Sequence, residues 1–372
     1  MNEARIWSRP LVAGVVGSIF AMLLVARVFG TVEVDPTIFI GFGEDSAAVN
    51  EYAETLLGRE VRKRPALGHD GKYFFVQAND PFVLDPSKNI AIIDRPLYRS
   101  QRMLYPVLAG GFGTFNATTI PWALLAVNVL ALGAGTFATG LVAQRMGGSG
   151  LWGLAFALNI GIVSEINIDG AGVVAAALAF GAVAAVLSGR GAWAVGLLGL
   201  AGLSREVMLV VALGIGWWLW RDGRRRLAVL SVVVPAGLIG LWALYLRLRI
   251  GQDSGANEAG FAFEPPFTGL VNAIPDWLDS PLDLTAGIAV VLLMGAYLFR
   301  TLKSDALVGW AFVGFVPLTL VLSRLVWASY FDSTRAVAPM ITAFVLMVFL
   351  TKESAADATS VFPDMHRWEC DQ

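Results

Sequence analysis

An all-α integral membrane fold, with about ten transmembrane helices and a large folded outer loop, is what this sequence predicts. Composition is the first reason. Hydrophobic residues make up 56% of the 372 residues and charged residues 15%, whereas soluble domains carry about 25% charge. A soluble chain of this length could not hide so much apolar surface. The second reason is spacing. Apolar runs lie near 10–30, 120–143, 150–163, 170–188, 192–203, 207–220, 227–247, 284–300, 305–323 and 335–351, judged against the roughly 20 residues a span requires. The third is the long polar interval between the first run and the second.

Residues 10–30 follow Arg5 and Arg9. The run is longer than the roughly 7–15 residues of a signal-peptide core, and no A-x-A site follows. It is therefore expected to stay as a first helix, with its N-terminus cytoplasmic. The interval 31–119 is then an outer loop, of which 31–102 is polar and 103–118 is short and glycine-rich. Whether 103–118 crosses decides every later orientation. If it does not, the cytoplasmic turns hold Arg145, Arg190, Arg221 with Arg224, Arg225 and Arg226, Arg300 with Lys303, and Lys352. If it does, those arginines all face outward. The positive-inside rule selects the first arrangement, with 103–118 as an amphipathic helix along the outer interface. Residues 1–351 then form a single polytopic domain in the cell membrane, and 352–372 a disordered cytoplasmic tail.

Two outer turns, Ser164–Asp169 and Ser204–Glu206, are flanked by runs of only about 12–19 residues, short for a span. Glu165, Asp169, Arg205 and Glu206 are therefore expected below the outer headgroup level, where ionisable groups are costly and mark function. The alternative is that the helices extend and these are ordinary loop charges.

Several function classes are excluded. The net charge of −2 gives no footprint for nucleic acid. Cys370 is the single cysteine and His69 and His366 the only histidines, so neither a disulfide framework nor a His/Cys zinc site can form. No G-x-x-x-x-G-K-S/T loop is present.

The outer loop carries the densest polar signal: Gly41-Phe42-Gly43-Glu44-Asp45-Ser46, the stretch Gly68 to Ala78, and Tyr98 to Pro106. Transfer to a hydroxyl needs a base, usually a carboxylate. A leaving phosphate needs Arg or Lys, and a guanidinium matches its oxygens bidentately. The loop supplies both residue types.

Asp70-Gly71-Lys72-Tyr73-Phe74 with Ala78, then Arg102-Met103-Leu104-Tyr105-Pro106, resembles the first lumenal loop of GT-C-type membrane glycosyltransferases, nearest the GPI-mannosyltransferase-like and related bacterial branches. The likeness covers the layout of about residues 1–250, through short motifs. It implies transfer of a hexose or mannose-like sugar from a polyprenyl-phosphate donor to a glycan or lipid acceptor on the non-cytoplasmic face, among membrane lipids. It also implies a catalytic loop acid: Asp70 matches best, and Asp45 is the second candidate. No D-x-D motif is present, so a divalent metal is possible but not indicated. Arg99, Arg102, Tyr105, Arg205, Glu206 and Arg335 are the candidate contacts to the donor phosphate.

Each candidate has a structural alternative. Asp70-Gly71 is also a turn pair, and Asp45 could cap a following helix. His69 could be a loop hydrogen-bonder, and Arg99 and Arg102 could snorkel. Tyr105 and Trp122 could be belt aromatics, and Arg335 could anchor a helix end. Two other functions compete with the enzyme, namely a transporter or flippase for a lipid-linked or anionic substrate, and a non-catalytic scaffold. Transporters favour internal repeats and interrupted helices, and no repeat is visible.

Overall fold

The structure is a computed structural model that describes residues 3–31, 34–66, 68–251 and 263–350. The expected tail at 352–372, with Cys370, lies outside the described residues. Among the described residues the fold is nearly all helix, and the one sheet is a two-residue parallel pairing of Phe42–Gly43 with Lys63–Arg64.

Among the described residues, four helices are long and apolar enough to cross a membrane: Arg9–Phe29, Ile120–Arg145, Arg225–Ile250 and Pro281–Ser304. At 1.5 Å per residue a 26-residue helix such as Ile120–Arg145 reaches about 39 Å, more than the ~30 Å hydrocarbon core. A fifth span is available if Tyr330–Ala336 and Ala338–Leu350, bent by 63°, are taken together. The other apolar runs form shorter pieces. Gly172–Leu187, Gly191–Ser204 and Leu209–Arg221 are single short helices. The run 150–163 breaks into Gly150–Gly153, Leu154–Ala157 and Ile160–Ile166.

The breaks have local causes. Asn159 caps Ile160–Ile166, its Oδ1 accepting from Gly161 N–H at 3.0 Å. Its Nδ2 donates to the carbonyl of Ala338 at 2.7 Å and to Thr342 Oγ1 at 2.9 Å. One side chain thus ties the interruption near residue 159 to the bend before Ala338. Pro339, one residue beyond that bend, supplies no N–H to the helix.

Helices Glu3–Phe29 and Ile120–Arg145 cross where Gly14 meets Gly133 and Gly17 meets Thr136. Small residues let two apolar backbones approach closely. The alanine-rich helix Gly172–Leu187 is buried almost all round and forms the centre. On the outside, Leu241 is 67% exposed, Leu248 78% and Leu292 67%. Helices of spanning length that present such side chains outward are suited to lipid rather than to water.

The long polar interval after the first helix is a folded cap with its own core. Ile40, Phe42, Val49, Phe74, Phe75 and Tyr105 pack with Ile120 and Leu124 at the start of the long helix. The helix expected at 103–118 is realised as Leu104–Phe112, nine residues. That is about 14 Å long, too short to cross. Thr114 and Phe115, both at φ 52°, end it in the left-handed region.

The bundle has two distinct ends. Arg145, Lys303, Asp305 and Leu187 line one cavity, and Arg221 pairs with Asp305 at 2.6 Å. At the other end Trp242 and Arg249 donate to the cap carbonyls of Ser100 and Leu84, and Asp283 accepts from Tyr330 N–H at 2.6 Å. Arg225–Ile250 runs from the arginine-rich end to the cap end, and Pro281–Ser304 runs back from the cap end. This gathers Arg145, Arg221, Arg225 and Lys303, all predicted inner-turn cations, at the end away from the cap.

Candidate functional site

Five separated parts of the chain meet where the cap joins the helices: Asp70, the segment 94–102, Glu165, Arg205 with Glu206, and Asp332 with Arg335. Asp70 immediately precedes the helix Gly71–Asn79, and its carboxylate does not cap that helix. Gly71 allows this approach, because a Cβ there would lie 2.5 Å from the carbonyl oxygens of both Ile40 and Ile168. Asp70 turns instead toward the segment 94–102. Arg99 Nη1 donates to its Oδ1 at 2.6 Å, and Arg102 Nη1 donates to its Oδ2 at 3.0 Å. Arg99 also reaches Asp94 at 3.1 Å. Arg102 also reaches Glu206 at 3.4 Å and Tyr98 Oη at 2.7 Å.

A second centre adjoins the first. Glu165 accepts from Arg335 Nε at 2.9 Å, from Arg205 Nη1 at 3.2 Å and from the backbone N–H of Gly172 at 3.0 Å. A Cβ at residue 172 would lie 2.5 Å from the Glu165 carboxyl carbon, so the loop can wrap this acid only with glycine there. Arg335 also pairs with Asp332 at 2.9 Å. The two centres share a field, since Arg335 and Arg205 act electrostatically on Asp70. Glu165, Arg205 and Arg335 also line a small cleft of about 50 Å³ whose other walls are apolar, among them Ile162, Met208, Phe315 and Leu318.

Burial alone would oppose ionisation of Asp70. The guanidiniums of Arg99 and Arg102, with Arg335 and Arg205 beyond, outweigh it and hold the carboxyl well below the usual carboxylate range. Burial, with Arg64 and Arg335 nearby, pushes the imidazole of His69 down to about 4. That ring sits 5.6 Å from the ring of Phe331 and is neutral at ordinary pH.

Of the residues singled out in the sequence, Asp70, Arg99, Arg102, Arg205, Glu206 and Arg335 converge in one network. Arg99 and Arg102 have side chains only 17% and 9% exposed, turned inward rather than out to an interface. Two candidates do not join. Asp45 is exposed and makes no ion pair or side-chain hydrogen bond among the described residues. Ser46, not Asp45, occupies the cap position of Ala47–Leu57. Tyr105 is fully buried in the cap core, donating to Leu124 O at 3.0 Å and accepting from Asn128 at 2.9 Å. It is a packing residue rather than a phosphate contact, because its hydroxyl is already spent inside the core. Phe74 and Phe75 are likewise buried there, while Tyr73 lies under Arg99 with its ring centre 4.6 Å from the guanidinium.

The central role of Glu165 was the main thing the sequence understated, and Asp94, Tyr98 and Asp332 complete the network. The glycines of Asp169-Gly170-Ala171-Gly172 were the available signal, since closely spaced glycines mark backbone packed tightly on something. Among the described residues no group of three or more His, Cys, Asp or Glu side chains is placed to hold a metal ion. The acids here face arginines instead. The arrangement is a cluster of four guanidiniums and five carboxylates, able to bind an anion by exchange and to accept a proton. No family model, curated protein or solved structure matches this chain.

Proposed function

We propose that the protein is a membrane glycosyltransferase that uses a polyprenyl-phosphate sugar on the non-cytoplasmic face. The observation that carries this reading is the convergence of Asp70, Arg99, Arg102, Arg205 and Arg335 in one network, the last two lining a small cleft with apolar walls. A phosphate on a long hydrocarbon tail needs that combination: guanidiniums for the headgroup and an apolar groove for the chain. In the reaction the acceptor hydroxyl oxygen attacks the anomeric carbon and its proton passes to Asp70. The bond from that carbon to the phosphate oxygen breaks, and polyprenyl phosphate leaves with the electron pair, held by arginine. The reading places about ten crossings in a cell membrane, counting the short and broken helices as spans, with both termini cytoplasmic.

The test is transfer from a polyprenyl-phosphate sugar by purified protein in lipid. Asp70→Asn is nearly isosteric and cannot take the proton. General-base assistance is worth about 10²–10⁴-fold, so turnover falls by that order, while Asp45→Asn retains it. Normal turnover in Asp70→Asn removes the loop-acid mechanism.

A transporter of an anionic or lipid-linked substrate is the second reading. The observation favouring it is that the interruption at Asn159 and the 63° bend before Ala338 lie together beside Glu165 and Arg335. Transporters place substrate at such broken helices. Counterflow of a labelled polyprenyl-phosphate lipid across vesicles, without sugar transfer, would select it.

A further inference from the structure

The arginines of this cluster are all occupied. Arg99 is held by Asp70 and Asp94, Arg102 by Asp70 and Glu206, Arg205 by Glu165, and Arg335 by Glu165 and Asp332. An incoming phosphate therefore finds no vacant guanidinium here, and it has to take the place of a carboxylate.

The carboxylates are not equally replaceable. Glu165 is 3% exposed and is fixed by the N–H of Gly172 as well as by two arginines. Asp94 and Asp332 each hold one arginine that a second acid also holds, so removing either opens no shared position. Asp70 differs on three counts. It alone bridges Arg99 and Arg102, one oxygen to each. It is 32% exposed, and no backbone N–H caps its carboxylate. Two oxygens of one anion, each bound by a separate guanidinium, is also how a phosphate is gripped.

We propose that Asp70 is an internal stand-in for the substrate's phosphate, a latch that occupies Arg99 and Arg102 until a phosphate displaces it. The inference rests on the transferase reading and deepens it. While paired, Asp70 is a poor base, because two cations stabilise its charged form. Displacement removes those partners and raises its proton affinity, so that the carboxylate becomes a competent base when the donor arrives. Glu206 and Asp94 stay behind and keep the two guanidiniums aimed at the site.

The test separates binding from turnover. Farnesyl phosphate and inorganic phosphate are titrated against the full chain in lipid nanodiscs, for the wild type and for Asp70→Asn, Asp70→Ser and Asp70→Glu. The neutral variants are expected to bind farnesyl phosphate about tenfold more tightly, the effect of removing roughly 1.4 kcal/mol of competition. Asp70→Glu keeps the internal anion and stays at or below wild-type affinity. A gain shared by inorganic phosphate supports the latch with phosphate of any source as its key. A gain confined to farnesyl phosphate supports it with a lipid-borne phosphate. Unchanged or weaker binding in the neutral variants overturns the latch, even if their turnover falls as the base assignment requires. Tighter binding with normal turnover upholds the latch and removes Asp70 as the base, and tighter binding where even the wild type transfers no sugar upholds the latch and removes the transferase reading instead. If neither neutral variant folds, the latch is also overturned, because a carboxylate the fold cannot lose is not one a ligand can displace.

Discussion

Removing the Glu165 carboxylate is the severest single change the site offers. Its side chain is 3% exposed, and it accepts from Arg335 at 2.9 Å, from Arg205 at 3.2 Å and from Gly172 N–H at 3.0 Å. Glu165→Ala leaves Arg205 without a carboxylate partner and Arg335 with Asp332 alone. Breaking a buried ion pair from one side costs about 3–5 kcal/mol. Arg205 is 22% exposed and recovers some hydration, so the lower end applies, roughly 3 kcal/mol. In a chain of this size each kcal/mol moves the melting point by about 2 °C, so a fall of roughly 6 °C is expected. Glu165→Gln keeps an acceptor for Gly172 N–H and should lose about half as much. The assay is thermal unfolding of purified protein in detergent, followed by tryptophan fluorescence. A double-mutant cycle with Arg335→Ala then isolates the pair, and a coupling of at least about 1 kcal/mol is expected. A melting point for Glu165→Ala within a degree of wild type would refute the reasoning, since no buried charge cluster could then depend on this acid.

Other outcomes follow from the same geometry. Arg102→Lys cannot reproduce contacts to Asp70, Glu206 and Tyr98 together, so transfer should drop at least about tenfold even though the charge remains, and normal kinetics would rule out forked recognition. His69, held down to about 4 in the folded chain, stays neutral while the unfolded chain protonates near 6.5, so its contribution is complete above 6.5 and is lost as pH falls toward 4. His69→Phe should therefore flatten the dependence of the melting point on pH in that window, and an unchanged slope would contradict the buried neutral ring. In intact cells Cys370 should resist an impermeant thiol reagent, whereas Ser46→Cys in a Cys370→Ser background should label; outside labelling of Cys370 would reverse the parity argument.

The sequence alone determined that the chain is helical and apolar, because composition and run length bound what it can bury. It also singled out most of the charged residues that the fold brings together. Arg205 and Glu206 stood out as charges at the edges of short apolar runs, where their cost demands a reason; Asp70, Arg99 and Arg102 stood out in the polar loop stretches that carry the family likeness, and Arg335 at the start of the last apolar run. Periodicity could not say which apolar runs stay continuous. That was decided by Asn159, whose cap and cross-contacts to Ala338 and Thr342 exist only once two segments 179 residues apart have met. Nor could it choose between Asp70 and Asp45, two loop acids of the same kind. Packing separated them: Gly71 seats Asp70 against Ile40 and Ile168, within reach of two arginines, while Asp45 remains on the surface. Glu165 became central for the same reason. Its partners lie 40 and 170 residues away, and the strength of an ion pair depends on distance and burial, neither of which exists until the chain is folded.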